Sequence, residues 1–326
     1  MKKYTHAWIA FKAIERLEGI PQADPNWKPA QSIVKWFKSH KDGVINGAWY
    51  PDSIIKDNST SHVLKLTPDL AKSGDFPALN AGMQLLKLCQ NSPCWKKGYQ
   101  VNPGTNLPER CEAFSHSVID NLKVQQVEAR GSPVAPTGNY LAQVLFMLSH
   151  YVADAHVPLH CDSRKFSDGE NIHSEMEGVW EDAVSNCIAI DAPNERFRYD
   201  ANGYPLVPNQ AAFDGSVLKP VQNELAQRSF SDDYGTGNGN VLQYMNAVCR
   251  YSYLLSYSFI PPGFDETNVT KATWQNLAGQ TVKASQLNVA VLSDAIDSVA
   301  RVWLRVWRRF VDWWSSQGNP ALPPGF

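Results

Sequence analysis

The chain has no uninterrupted apolar run near the roughly 18 residues that span a bilayer, so no membrane-spanning helix is predicted. It also lacks any Cys-x-x-C pair. Its six cysteines, Cys89, Cys94, Cys111, Cys161, Cys187 and Cys249, are scattered, which argues against a thiolate zinc site. Cys89 and Cys94 bracket the segment QNSP, which a disulfide would close in an oxidising compartment; buried free thiols are the alternative. Strand signals are scarce, with few β-branched runs and no Asn-Gly turn between alternating apolar stretches. An excess of one charge sign is missing too. The formal net charge of −2 offers no basic field for nucleic acid or acidic membrane, although a bound metal cluster would supply its own positive charge. The opening residues, MKKYTHAWIAFKAIERLEG, lack an apolar signal-peptide core and a small-residue cleavage site. The expected location is the cytoplasm, or outside it for a leaderless form of a secreted or periplasmic protein.

What is present is a globular composition, 43% hydrophobic and 19% charged over 326 residues, enough to bury a core. The dominant periodicity is helical. Trp8, Ile9, Phe11, Ile14 and Leu17 form one stripe over 6–18, and similar stripes recur near 29–40, 77–90, 112–128, 138–157, 173–190, 208–228, 239–258 and 268–281. The strongest, over 286–317, repeats Ile296, Val299, Trp303, Trp307, Phe310 and Trp314 before Gly318 and Pro320 stop it. Segments 41–61, 91–110, 128–138, 191–207 and 229–240 read as irregular. The pattern predicts one all-α domain over 1–326, a monomer, with long loops. The eleven tryptophans sit at helical spacing and are read as core.

The informative segment is LFMLSHYVADAHVPLHCDSRKFSDGENIHSEMEGVWEDAV. His150 and Asp154 stand four apart, so a helix places both on one face. Pro158 should end that helix and leave His160 at its exit. His173 and Glu177 repeat the four-residue spacing on the next helix. Two helices would then each present an imidazole and a carboxylate, a donor set that suits zinc or another borderline first-row ion. About one His-x-x-x-Asp/Glu is expected by chance among eight histidines. The chain has three, and two of them flank a further histidine; the third, His116/Asp120, reads as a decoy.

Three upstream residues join the candidates: His6 on the first helix beside Trp8, and Asp52 and His62 in GAWYPDSIIKDNSTSHVLKL, where an irregular backbone can aim ligands freely. Each also has an ordinary reading, Asp52 as a turn residue after Pro51 and His62 as a surface residue.

The segments HYVADAHVPLH and HSEME resemble the core of the zinc-dependent phospholipase C enzymes and of the related trinuclear zinc nucleases that act on single strands and 3′-phosphates. The shared pattern is H-x-x-x-D-x-x-x-x-x-H, then H-x-x-x-E or H-x-x-x-D. THAWIAFKAIERL is similar to the first helix of the phospholipase branch, and WYPD and the later SH match the family's Asp and His at Asp52 and His62. The resemblance covers about two-thirds of the chain and implies three zinc ions in a cleft between helices. One would be held by Asp52, His62, His150 and Asp154, a second by His160, His173 and Glu177, and a third by His6 with Asp154 bridging. The family's third ion also takes the amino group of an N-terminal tryptophan. No tryptophan precedes Trp8 here, and the Met1 amine is expected to substitute.

The resemblance implies phosphodiester hydrolysis, in which Asp52 could also orient or deprotonate the attacking water as general base. Glu177 and the first helix lean towards a phospholipid or small phosphodiester. A single-stranded nucleic acid is the alternative, but the nuclease branch places an aromatic residue where this chain has Val63, and base stacking is a main source of single-strand binding. A non-catalytic, metal-stabilised binding protein is the third reading; the lack of thiolate among eight candidate ligands favours catalysis over it.

Overall fold

A computed structural model describes residues 1–68, 99–128, 133–166, 171–230 and 240–318. The predicted helix at 77–90 and the pair Cys89/Cys94 lie outside the described residues. With 66% helix and, among the described residues, only short two-stranded antiparallel pairs as sheet, the all-α class holds.

At the centre is α1 (Lys3–Glu18), which lies against α2 (Trp27–Ser39), α3 (Val44–Tyr50), α5 (Gly138–Asp154), α7 (Ile172–Cys187) and α12 (Ala284–Ser316). Its sequence predicted one apolar stripe, yet Thr5 through Phe11 are buried without a break. Neighbours on every side remove the need for a solvent face. The long α12 buries Trp303 and Trp307, whose indoles donate to the Leu145 carbonyl at 2.9 Å and Ser32 Oγ at 3.1 Å. These two tryptophans are core, as their spacing predicted. Arg16 of α1 donates to Asp297 of α12 at 2.7 Å and to the Arg228 carbonyl at 2.7 Å, which fixes the far end of the central helix.

Helix α4 (Leu107–Val127) packs on α5, which starts at Thr137, whose hydroxyl accepts from the Tyr140 amide. The last turn of α5 carries His150 and Asp154. Pro158 then opens the one-turn α6 (Pro158–Cys161), as a proline at a first helical position does, and His160 lies within it.

Three expectations change. The stretch near 208–228 is two helices, α8 (Gln210–Asp214) and α9 (Leu218–Gln227), split at Gly215. Segment 41–61 is largely ordered: a 3₁₀ turn, α3, and a π turn at Pro51–Ile55 that ends at Lys56 in the left-handed region, φ 57°. Beyond α10 (Val241–Phe259) and the short α11 (Glu266–Val269), the stripe at 268–281 is not a helix. Strands Thr273–Gln275 and Thr281–Lys283 pair there instead. Asn276 Oδ1 accepts from the Ala278 and Gln280 amides and Gly279 takes φ +73°, so turn chemistry overrides the helical period.

Close approach of α3 to α5 depends on Gly47. A Cβ there would stand 2.8 Å from Phe146 Cβ and 3.2 Å from Gln143 backbone atoms. The missing side chain lets the Ala48 carbonyl reach His150.

Candidate metal centre

All eight predicted residues converge on Asp154, which is 1% exposed. His150, one turn earlier on α5, turns Nε2 to 3.2 Å from Asp154 Oδ2, and its Nδ1 donates to the Ala48 carbonyl at 2.6 Å. His62, buried rather than on the surface, places Nδ1 2.9 Å from the same oxygen, while its Nε2 donates to Asp57 at 2.8 Å. With both rings neutral, their outer nitrogens carry the protons. Two imidazole lone pairs 3.1 Å apart and a carboxylate oxygen then face one another with no donor between them. A proton on His62 Nδ1 or a metal ion among the three relieves the resulting repulsion.

Asp52, in the first turn of the π segment, brings Oδ1 to 3.4 Å from His62 Nδ1 and 3.7 Å from His150 Nε2. His6, at the end of the first turn of α1, stacks on His150 with centroids 3.7 Å apart and lies 3.3 Å from Asp154 Oδ1. Neither of its ring nitrogens has a hydrogen-bond partner. The Met1 amine lies 2.9 Å from Asp154 Oδ1 and 2.6 Å from Glu177 Oε1. On the other side, His160 Nε2, His173 Nε2 and Glu177 Oε1 form a second group, at 2.7 Å between the rings and 2.8 Å from His173 to the carboxylate. Three sets therefore have donor atoms close enough to share an ion: His6/Asp52/His150, His62/His150/Asp154 and His160/His173/Glu177. Exposure rises across the centre, from 0% at the His150 side chain to 17% at Asp52 and 49% at His173, so the group on α7 is open to solvent.

The electrostatics ask for positive charge. Burial would raise the pKa of Asp154 and Glu177, but the Met1 amine and the surrounding histidines overcome it and hold both carboxyls well below their usual range. Burial alone would lower the Met1 amine, yet Asp154 and Glu177 lift it to about 11. In that form it is their counter-charge; deprotonated, the same nitrogen is a ligand. Burial pushes Asp52 up, His6 well down and His160 down to about 4, so both rings are kept neutral and ready to ligate. Burial disfavours a proton on His62 as well, but its hydrogen bond to Asp154, the charges of Asp154 and Asp52 and its hydrogen bond to Asp57 raise it overall. The donor set is imidazole and carboxylate without thiol; the described cysteines, Cys111, Cys161, Cys187 and Cys249, are buried free thiols outside these groups. Those residues fit a zinc-like divalent ion.

Some contributors were invisible in the sequence. Asp57 fixes the His62 tautomer while also accepting from Tyr151 Oη at 3.1 Å and pairing with Arg110 at 3.3 Å. Outer partners of this kind orient metal-binding imidazoles. Asp57 lies in the turn-like DNST, and only tertiary contact reveals its role. The pair His116/Asp120 stays apart from the centre: His116 bonds Glu112 at 2.9 Å, and Asp120 is 71% exposed beside Lys123. A separate cleft of about 510 Å³ between α1 and residues 200–207 is lined by Trp8, Phe11, Lys12, Glu18, Lys38 and Tyr204, and none of the eight residues lines it. There Glu18 pairs with Lys38 and accepts from Tyr204.

No described helix is long and apolar enough to cross a membrane. A comparison with protein-family models found no match, and a comparison with curated proteins found none either. The chain's buried histidine and carboxylate groups, able to hold metal ions, therefore rest on its own geometry.

Proposed function

We propose that the chain is a zinc-dependent phosphodiester hydrolase with three ions, of the phospholipase C-like kind its sequence resembles. The observation that carries the reading is the convergence of His62 Nδ1, His150 Nε2 and Asp154 Oδ2, with the rings' other nitrogens held from outside. His62, His150, Asp52 and Asp154 would hold one ion, and His160, His173 and Glu177 a second. His6 and the Met1 amine would hold a third with Asp154 bridging. Bound there, the ions would neutralise a phosphodiester's charge and acidify water.

The chain's own groups supply the rest. Asp52, 17% exposed, is the most accessible carboxylate of its group and would accept the proton of an attacking water, for which a raised affinity for protons suits it. Half-exposed His173 marks the side from which substrate enters. The exposed side chains of Ile54 and Ile55, two and three residues after Asp52, favour a substrate with an apolar portion. Val63 is buried, so it offers no platform for a nucleobase. Both support a phospholipid or small phosphodiester over a single strand.

The test is an activity screen with a phosphatidylcholine-type diester and single-stranded DNA and RNA, each with and without chelator. Chelator-sensitive release of a phosphorylated headgroup is expected. Cleavage of the single strand alone moves the chain to the nuclease reading, and bound metal with no turnover of any substrate supports the structural one. In the Asp52→Asn variant, full turnover with metal still bound would remove the general-base role.

A further inference from the structure

Helix α1 begins without a cap of its own. Lys2 at the N-cap makes no side-chain bond to the backbone, and the first turn contains no acidic residue. Free N–H groups at a buried helix start need an acceptor. A different helix supplies it: Glu181 Oε1 accepts from the Tyr4 amide at 2.9 Å, and Oε2 accepts from the Thr5 amide at 2.8 Å and the Thr5 hydroxyl at 3.0 Å.

Glu181 stands four residues after Glu177 and eight after His173 on α7, so the three share one face. Two of them belong to the metal centre and the third grips the start of α1. The rest of the N-terminal segment follows the same helix. The Met1 amine meets Glu177, and Lys2 crosses at Gly178, where a Cβ would stand 3.4 Å from its ammonium. Lys3 pairs with Glu195 just beyond α7. His6 comes immediately after the two gripped amides. Its imidazole finds no hydrogen-bond partner of its own and is held by its stacking on His150 and by its place on α1.

We infer that Glu181 is the positioning residue of the third metal site: it latches the first turn of α1 to α7 and so holds His6 and the Met1 amine at Asp154. This rests on the three-ion reading above. Without the latch the first turn frays, and the ion that draws two of its ligands from that turn is lost first. The ions held by Asp52, His62 and His150, and by His160, His173 and Glu177, draw on other elements and remain.

The test counts metal in zinc-loaded, dialysed protein and follows amide exchange at Tyr4 to Ala7 in chelated protein. Glu181→Ala should retain two ions where wild type retains three, with first-turn amides exchanging at least about ten-fold faster. Glu181→Gln keeps the side chain's size and one acceptor, and should hold the third ion about 10- to 100-fold more weakly. Glu175→Ala, exposed on the same helix, should match wild type in both readouts. Three ions at wild-type affinity in both Glu181 variants, or loss of the His160/His173/Glu177 ion along with the third, would overturn the assignment. Fewer than three ions in wild type would instead defeat the three-ion reading itself, and this inference with it.

Discussion

Replacing Asp57 with asparagine perturbs the centre without touching a candidate ligand. The Asp57 carboxylate serves three donors: His62 Nε2 at 2.8 Å, Tyr151 Oη at 3.1 Å and Arg110 at 3.3 Å. An amide has one oxygen for these tasks. If that oxygen faces His62, the NH₂ group confronts the Arg110 guanidinium, donor against donor. If the amide flips, its NH₂ faces Nε2, and His62 must adopt the tautomer that protonates Nδ1, the nitrogen aimed at Asp154. Either way the inward lone pair is compromised. Loss of an outer partner weakens metal binding by about 10- to 100-fold, which is about 1.4 to 2.7 kcal/mol. Competition against a chromophoric chelator should show one class of ion weakened by that factor, with the His160/His173/Glu177 ion unchanged. Equal affinity for all ions in wild type and Asp57→Asn would refute the claim that Asp57 sets the His62 tautomer.

Gly47→Ala should force α3 away from α5, because the new methyl would lie 2.8 Å from Phe146 Cβ with backbone beside it. Overpacking of this kind costs about 1 to 3 kcal/mol, read from the urea midpoint at constant slope; an unchanged midpoint would contradict the close approach. His156 governs an acid-dependent loss of stability. Burial, together with the charges of Arg301 and Arg228, lowers it to about 3, while the unfolded chain titrates near 6.5. Between those values the unfolded state binds a proton that the folded state does not, so stability falls as pH drops through that window, by up to about 1.4 kcal/mol per unit. His156→Gln keeps a partner for Ser298 and should flatten the slope of chelated protein between pH 6 and 4; identical slopes would remove His156 as the cause.

The local periodic features were legible in the sequence. Helical spacing alone placed His150 with Asp154 and His173 with Glu177, and Pro158 placed His160 between them. The tryptophan stripe of α12 read as core for the same reason. What depended on distant contact did not read out. Asp57, Arg110 and Glu181 reach partners up to 94, 41 to 53 and 176 to 177 positions away respectively, with no periodic signature. Helix α3 lies in a stretch whose Gly, Pro, Asn, Asp and Ser content reads as irregular; packing against α5 outweighs that local preference. The reverse happened at 268–281, where Asn276 and Gly279 made a tight turn inside an apparently helical stripe.

The central claim is that these side chains surround divalent ions, and the most direct measurement is anomalous scattering at the zinc edge from crystals of the zinc-loaded chain. Three peaks are predicted: one among Asp52, His62, His150 and Asp154, one among His160, His173 and Glu177, and one between His6, the Met1 amine and Asp154. No peak within bonding distance of His150 and Asp154, or zinc found only at surface residues such as His116, would contradict it.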